Sequence, residues 1–287
     1  MDKKIDKKYK IYRMNHTWCW THREVEFFCD IEQNSIYIQK LAQDIKNLID
    51  CFDQDYSRFR PDSLLNQYNR WEISIWGDQD LKRMIELWYD YQTLTDWVFC
   101  IDIARDLVNL WYGKDIYTTE NQKYIDLWGL WKGFLIDKIS TYIQTYEIQS
   151  YNINAGGDIY IYQSEQLELW PLYIQHPTNI QQYIWKIQIA KGGFANSGTQ
   201  YRSRWAENEF HHLIDNKTHS PSTHPYLSVH ILHSSIIVAD IAATTLFVTP
   251  LEKFEHIATI LDVERLLVLD DMSTLMSPWF PLQNIDS

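Results

Sequence analysis

The sequence has few of the features that mark secreted proteins or proteins with a structural zinc site. It holds four cysteines, and none of them stands in a CxxC pair or at a zinc-ligand spacing. Cysteines without such spacing are expected to stay reduced, as they do in the cytoplasm. The first 16 residues are charged and lack the apolar core of a signal peptide. We therefore predict a cytoplasmic protein.

Long runs of apolar residues or of like charges are also absent. No apolar run reaches the roughly 20 residues that a membrane span requires, so we predict no membrane insertion. The one basic run is Lys3–Lys10, and the formal net charge is -12. This charge disfavours both nucleic acid and an anionic membrane surface as partners. We find no internal repeat, no low-complexity tract and no linker.

What the chain does have is enough apolar and aromatic surface for a large core. Its 287 residues are 45% hydrophobic and 15% aromatic, far from a disordered composition. Helical periodicity over 36–53, 79–95 and 238–248 interleaves irregularly with strand-like stretches, which favours one compact α+β domain over a doubly wound sheet. We assign 13–272 to this domain, 1–12 to a flexible basic lead and 273–287 to a C-terminal tail.

The stretch Val238–Val248 carries the clearest chemical pattern. Asp240 and Thr244 are four residues apart, so they share one face of the predicted helix. A carboxylate and a hydroxyl are hard oxygen donors of the kind that Mg²⁺ takes. The alternative is a solvated face or a local hydrogen bond, and the pair alone does not decide between them.

Three further stretches are suited to a ligand, and each also has a purely structural explanation. Phe59 lies between two arginines that could meet phosphate, or the loop could simply cover the core. Lys132 lies between two glycines at a predicted helix start, which suits phosphate or helix packing. Asn154–Asp158 (NAGGD) interrupts a strand, either beside a ligand or as a hairpin bend.

Eight short motifs follow one another in an order that resembles the ApbE family, the FAD:protein FMN transferases. The family's motifs correspond here to MNHT (14–17), SRF (57–59) with Ser63, Leu65 and Asn69, LVNLW (107–111), DLWGLWKG (126–133), NAGGD (154–158), NSG (196–198), HLID (212–215) and ADIAAT (239–244). Each motif is short, but their common order is specific. The resemblance extends from about Met14 to Leu269.

The resemblance implies a fold and an activity. The fold would be a single compact domain of the T-fold type, α+β, with mixed or antiparallel sheets and flanking helices. The activity would be the Mg²⁺-dependent transfer of FMN from FAD to a threonine or serine hydroxyl of an acceptor flavoprotein, with release of AMP. The implied partners are FAD and that acceptor, and a homodimer is left open.

The resemblance also implies roles for individual residues. The metal would be held by the side chains of Asp240 and Thr244 and by the backbone carbonyls of Gly129 and Ala243. Asp240 would thereby be catalytic, and His212 matches the family histidine that would accept the hydroxyl proton. The residues that would bind the flavin nucleotide are Met14, Phe59, Asp126, Lys132, Asn154, Gly156, Gly157, Asp158, Ser197 and Gly198.

Several positions depart from the family pattern. Trp128 and Trp131 replace small residues, Asn196 replaces a threonine, and Asn216 and His219 replace a proline and a glycine. These changes predict an intact metal site beside a remodelled nucleotide pocket. They also keep two alternatives open: an FAD pyrophosphatase that releases free FMN and AMP, and a non-catalytic FAD-binding protein.

Overall fold

The computed structural model describes residues 9–18, 21–30, 35–110, 122–146, 148, 150–164, 171–199 and 213–285. The helices are α1 (Ser35–Tyr56), α2 (Leu64–Asn69), α3 (Gln79–Leu94), α4 (Ala104–Asn109), α5 (Trp128–Gln144), α6 (Ile236–Phe247) and α7 (Leu251–Ile260). The strands are β1 (Tyr9–Trp18), β2 (Thr21–Asp30), β3 (Ser150–Ala155), β4 (Asp158–Tyr162), β5 (Pro171–His176), β6 (Asn179–Gln188), β7 (Lys191–Gly198), β8 (Ile214–Asp215), β9 (Ser220–Pro221), β10 (Tyr226–His233), β11 (Glu264–Leu269), β12 (Thr274–Met276) and β13 (Gln283–Asn284).

An eight-stranded antiparallel sheet forms the centre of the fold. Its strand order is β1-β2-β3-β4-β7-β10-β11-β12, and a smaller sheet has the order β13-β6-β5. The helices cover one face of the large sheet, where most of the buried apolar side chains meet. A second cluster, which includes Ile161 and Phe194 of the large sheet and Leu172 and Ile187 of the small one, joins the two sheets. The predicted α+β class with antiparallel sheets is confirmed.

Strand alternation divides β10 between the two cores. Val229 and Ile231 point into the helical core, and Leu232 points towards the small sheet. His230 shares the small-sheet side, where its ring stacks on that of Phe194 at 5.8 Å. Successive side chains of a strand point to opposite faces of the sheet. Because β10 is buried on both faces, its side chains alternate between the two cores.

The structure extends into both segments that flank the predicted domain. Strands β1 and β2 pair antiparallel, and β1 begins at Tyr9, inside the segment assigned to the lead. The C-terminal segment adds β12 and β13, and Phe280 is buried there. Asn154–Asp158 contains a tight hairpin turn, with φ of 70° at Gly156 and 101° at Gly157. Such turns favour glycine because both central residues have positive φ.

Among the described helices, none has the length and apolarity that a membrane crossing requires.

His230 gives the fold a predicted sensitivity to acid. The residue is 3% exposed, and its Nε2 lies 2.9 Å from Ser228 Oγ. Burial lowers the pKa of His230 to about 4, whereas an unfolded histidine titrates near pH ~6.5. The unfolded chain therefore binds the extra proton first as the pH falls from about 6.5 to about 4, and folding stability falls over that range.

We expect this effect to cost up to about 3 kcal/mol of unfolding free energy. Urea unfolding followed from about pH 7 to about pH 4.5 would measure it. His230→Gln should flatten the pH dependence, while His256→Gln, at an exposed position on α7, should leave it unchanged. Equal slopes in all three proteins would contradict the assignment to His230.

Candidate active site

Helices α5 and α6 approach each other closely through two glycines. A Cβ atom added at Gly133 would lie 2.9 Å from the Asp240 Cβ and 2.9 Å from the Ile236 carbonyl oxygen. One added at Gly129 would lie 3.6 Å from the Thr244 Cγ2. Gly129 and Gly133 are four residues apart on α5, and the residues they face, Thr244 and Asp240, are four residues apart on α6. The order of the pairs shows that the two helices run antiparallel. The structure thus brings together three of the four predicted metal-site residues.

Asp240 is a buried carboxylate at this crossing, 3% exposed. Its Oδ2 accepts a hydrogen bond from the Gly133 N–H at 2.7 Å, and its Oδ1 lies 3.8 Å from Lys132 Nζ. Burial raises the pKa of Asp240 to about 7, and Lys132 opposes that rise. A buried carboxylate is favourable only beside a compensating positive charge. This position therefore suits a cation.

The β3–β4 turn is attached to the same crossing through Asp158. That carboxylate forms an ion pair with Lys132, and its Oδ1 accepts from the Asn196 N–H at 3.1 Å. The Asn196 side chain donates to the Gly157 carbonyl at 3.0 Å, and Asn154 Oδ1 accepts from the Gly157 N–H at 2.9 Å. Asn196, noted in the sequence only as a departure, is thus a structural link between β7 and the turn.

A second cluster lies at the start of α5. Asp126 and Arg58 form a buried ion pair, with 2.8 Å between Arg58 Nε and Asp126 Oδ2. Asp126 Oδ1 accepts from the Trp128 N–H at 3.0 Å. The Arg58 guanidinium lies 4.3 Å from the centre of the Phe59 ring, and Phe59 is 40% exposed.

The phosphate role suggested for the two arginines of this loop is not supported. Arg58 is turned into the protein towards Asp126, and Arg60 forms an ion pair with Asp53. Asp126 is 68 residues from Arg58 in the sequence, whereas Asp53 is only seven residues from Arg60. Local sequence could not reveal the partner of Arg58, because that contact depends on the tertiary fold.

The remaining predicted site residues are less closely connected. Ser197 and Gly198 lie on β7 opposite Val229 and Ser228 of β10. Met14 is half-buried on β1 and packs against the helical core, and Ala243 is buried on α6. The predicted base, His212, lies outside the residues that the structure describes.

The departures from the family pattern have identifiable contacts. Trp131 is buried against Phe52, and its ring stacks on that of Trp128 at 6.0 Å. Asn216 Nδ2 donates to the Trp97 carbonyl at 3.3 Å. His219 has a φ of 53°, a backbone region that favours glycine.

His219 also contacts helix α4. Its Nδ1 lies 2.9 Å from Asp106 Oδ2. The loop between β8 and β9 is therefore attached through side chains at two points, Asn216 and His219.

The donor set at the crossing fits a hard divalent cation. Within the described ranges, no group of three or more His, Cys, Asp or Glu side chains surrounds a single point. A metal here would instead take mixed oxygen donors, namely the Asp240 carboxylate, the Thr244 hydroxyl and nearby backbone carbonyls, which suits Mg²⁺. Because the Gly133 N–H occupies Oδ2, Oδ1 is the Asp240 oxygen available to such an ion.

The close approach at Gly133 predicts a specific penalty for a side chain there. The nearest atoms to an added methyl group would be the Asp240 Cβ and backbone atoms of Ile236 and Ile237, all at 2.9 Å. None of them can move without parting the helices, so Gly133→Ala should lower the unfolding free energy by about 1–3 kcal/mol.

Gly77→Ala is the matched control, because a Cβ there has no atom of the described residues within 4 Å. Its effect should stay within about 0.5 kcal/mol. Chemical unfolding of both variants measures the difference. A Gly133→Ala protein as stable as the Gly77→Ala protein would contradict the close contact.

Comparison with known proteins gives a consistent result. The ApbE family profile matches residues 113–267, more than half of the chain. A Haemophilus influenzae protein named FAD:protein FMN transferase is 30% identical over 166 residues, which cover 52% of this chain and 47% of that protein. The chain therefore spans about half the length of that relative. A Vibrio cholerae protein of the same name is 25% identical, with 83% of this chain and 82% of that protein covered.

Solved structures show the same fold. "Flavin Transferase ApbE from Vibrio cholerae" superposes with a TM-score of 0.76 at 20% identity, covering 94% of this chain and 98% of that one. The ApbE protein of Thermotoga maritima gives a TM-score of 0.79 at 19% identity, covering 94% and 97%. At these identities the likeness establishes the architecture.

Proposed function

The chain belongs to the ApbE family, and on that premise we propose that it is an FAD:protein FMN transferase. FAD would be the donor, and a threonine or serine hydroxyl of a flavoprotein would be the acceptor. The observation that carries the proposal is the α5–α6 crossing, where Gly133 and Gly129 lie beside Asp240 and Thr244. It places the buried Asp240 carboxylate beside Lys132 and brings Thr244 against Gly129 one helical turn away.

In this proposal the FAD diphosphate lies at the crossing. Asp240 and Thr244 offer side-chain oxygens to a Mg²⁺ ion, and the carbonyls of Gly129 and Ala243 offer two more. A bound Mg²⁺ would neutralise the charge that develops on the diphosphate, the dominant contribution in phosphoryl transfer. Lys132 adds a fixed positive charge, which Asp158 holds in place.

The flavin ring would pack against the exposed ring of Phe59, beyond the start of α5. The β3–β4 turn and the end of β7 would line the nucleotide on the other side of Lys132. Ser197 and Gly198 belong to that second wall, together with Asn154, Gly156 and Gly157. Met14 would complete the flavin side.

The reaction would break one phosphoanhydride bond. The acceptor oxygen attacks the phosphorus on the FMN side, a new P–O ester bond forms, and AMP leaves with the bridging oxygen. The hydroxyl proton passes to a base, which we assign to His212. We also propose a cytoplasmic location, in keeping with the free thiols of Cys51 and Cys100.

Two substitutions on α6 test the proposed metal ligands. Asp240→Ala should abolish transfer, and Thr244→Val, which removes a hydroxyl without changing the shape, should reduce it by about 10-fold or more. Thr259→Val is the matched control, because its exposed hydroxyl on α7 donates to the Glu255 carbonyl of the same helix at 2.8 Å. Full activity of Asp240→Ala would contradict the metal site.

The readout is a product balance in the presence of FAD and Mg²⁺, with and without an acceptor flavoprotein. AMP matched by protein-bound FMN supports the transferase. AMP matched by free FMN, whether or not an acceptor is present, would show a pyrophosphatase instead. Bound FAD with no AMP would show a flavin-binding protein without turnover.

A further inference from the structure

Arg58 is an unusual residue to find inside a protein. Its side chain is 2% exposed and that of its partner Asp126 is 6% exposed. Burying two charges is costly, so a buried pair is weak support for a purely stabilising role. Its geometry, however, connects two parts of the candidate active site. That connection gives Arg58 a role in addition to packing.

The first contact of Arg58 is with Phe59. The guanidinium lies 4.3 Å from the ring centre, which is the geometry of a cation–π contact. One face of the ring is therefore covered by a buried, ion-paired group. Since Phe59 remains 40% exposed, the rest of the ring surface is accessible to a flat ligand.

The second contact of Arg58 is with the start of α5. Asp126 binds Arg58 through Oδ2 and the Trp128 N–H through Oδ1. Trp128 is the first residue of α5, and Gly129, beside Thr244, is the next. The ion pair thus joins the Phe59 loop to the helix that forms the predicted metal site.

The backbone of the loop is held independently. Asn66 Nδ2 donates to the carbonyls of Arg58 and Arg60, both at 2.8 Å. The Phe59 N–H donates to Ser57 Oγ at 3.3 Å. Loss of the Arg58 side chain would therefore leave the path of the loop in place and remove the support beneath the ring.

We propose that Arg58 is a positioning residue that holds the Phe59 ring at a fixed place relative to the metal site and so orients the flavin ring of FAD. The inference rests on the proposed function, because it specifies how that site aligns its substrate. In this proposal Arg58 acts without direct contact to the diphosphate or the acceptor. Its effect is transmitted through Phe59 and Asp126.

The test compares variants of Arg58 with a matched control on the same loop. Arg58→Gln removes the cation, Arg58→Lys keeps the charge without the planar guanidinium, and Arg60→Gln removes a neighbouring arginine whose partner is Asp53. Each protein is titrated with FAD and Mg²⁺ while flavin fluorescence and the visible flavin band are recorded. Steady-state transfer then gives kcat and KM for FAD.

Stacking of the flavin on Phe59 should quench its fluorescence in the wild type and in Arg60→Gln. Arg58→Gln should lose most of that quenching and lower kcat/KM by about 10- to 100-fold, because the reacting group is no longer aligned. Arg58→Lys should recover part of both. Phe59→Leu should reproduce the fluorescence change while it leaves the ion pair intact.

Removal of Arg58 alone leaves a buried carboxylate, so Arg58→Gln could fail to fold. The double variant Arg58→Met with Asp126→Asn removes both charges and keeps an acceptor for the Trp128 N–H. If it melts near the wild-type temperature and lacks the quenching, and Arg58→Lys, which keeps Asp126, also loses part of the quenching, the positioning role is supported. Wild-type quenching and KM in this variant would overturn it.

The outcomes also separate this inference from the proposed function. Unchanged flavin signals in every Arg58 variant, together with loss of transfer in Asp240→Ala, would overturn only the role of Arg58. A wild-type protein that binds no FAD would overturn both.

Discussion

The candidate site depends on the close approach of α5 and α6, at which the Gly133 N–H donates a hydrogen bond to the Asp240 carboxylate. It can form only because α5 has no side chain at that position, where a Cβ would meet α6 at 2.9 Å. The close approach buries a carboxylate that water would otherwise solvate. Lys132 is the nearby cation that makes the burial tolerable.

Helix α5 connects the parts of the site in one rigid element. Its first turn is attached through Asp126 to the Phe59 loop, and Lys132 is attached through Asp158 to the β3–β4 turn. Gly129 and Gly133 allow α5, with both of these contacts, to pack directly against α6. Three segments distant in the sequence are thereby held at fixed separations. Such preorganisation is what phosphoryl transfer requires of a protein.

The local part of this arrangement could be predicted from the sequence. Asp240 and Thr244 share a helical face because i,i+4 spacing determines it, and the NAGGD turn follows from two adjacent glycines. The helix crossing could be inferred only through the family resemblance, because the partner of a glycine is not encoded near it. The inward turn of Arg58 and the structural role of Asn196 were missed for the same reason. Their partners, Asp126 and Gly157, are 68 and 39 residues away.

The burial of His230 was also beyond the sequence patterns. A histidine in an alternating strand suggests an exposed face, yet β10 is covered on both sides by the helical core and the small sheet. That face is interior because strands of the second sheet, such as β5, pack against it. Only the tertiary pairing of the two sheets reveals it.

The proposed metal site is tested most directly by a crystal structure of the protein with FAD and Mn²⁺, with anomalous scattering used to locate the metal. We predict an anomalous peak at bonding distance, about 2 Å, from Asp240 Oδ1 and the Thr244 hydroxyl, with the FAD diphosphate beside it and the flavin ring against Phe59. A peak elsewhere, or bound FAD whose diphosphate lies away from the α5–α6 crossing, would contradict the proposed site.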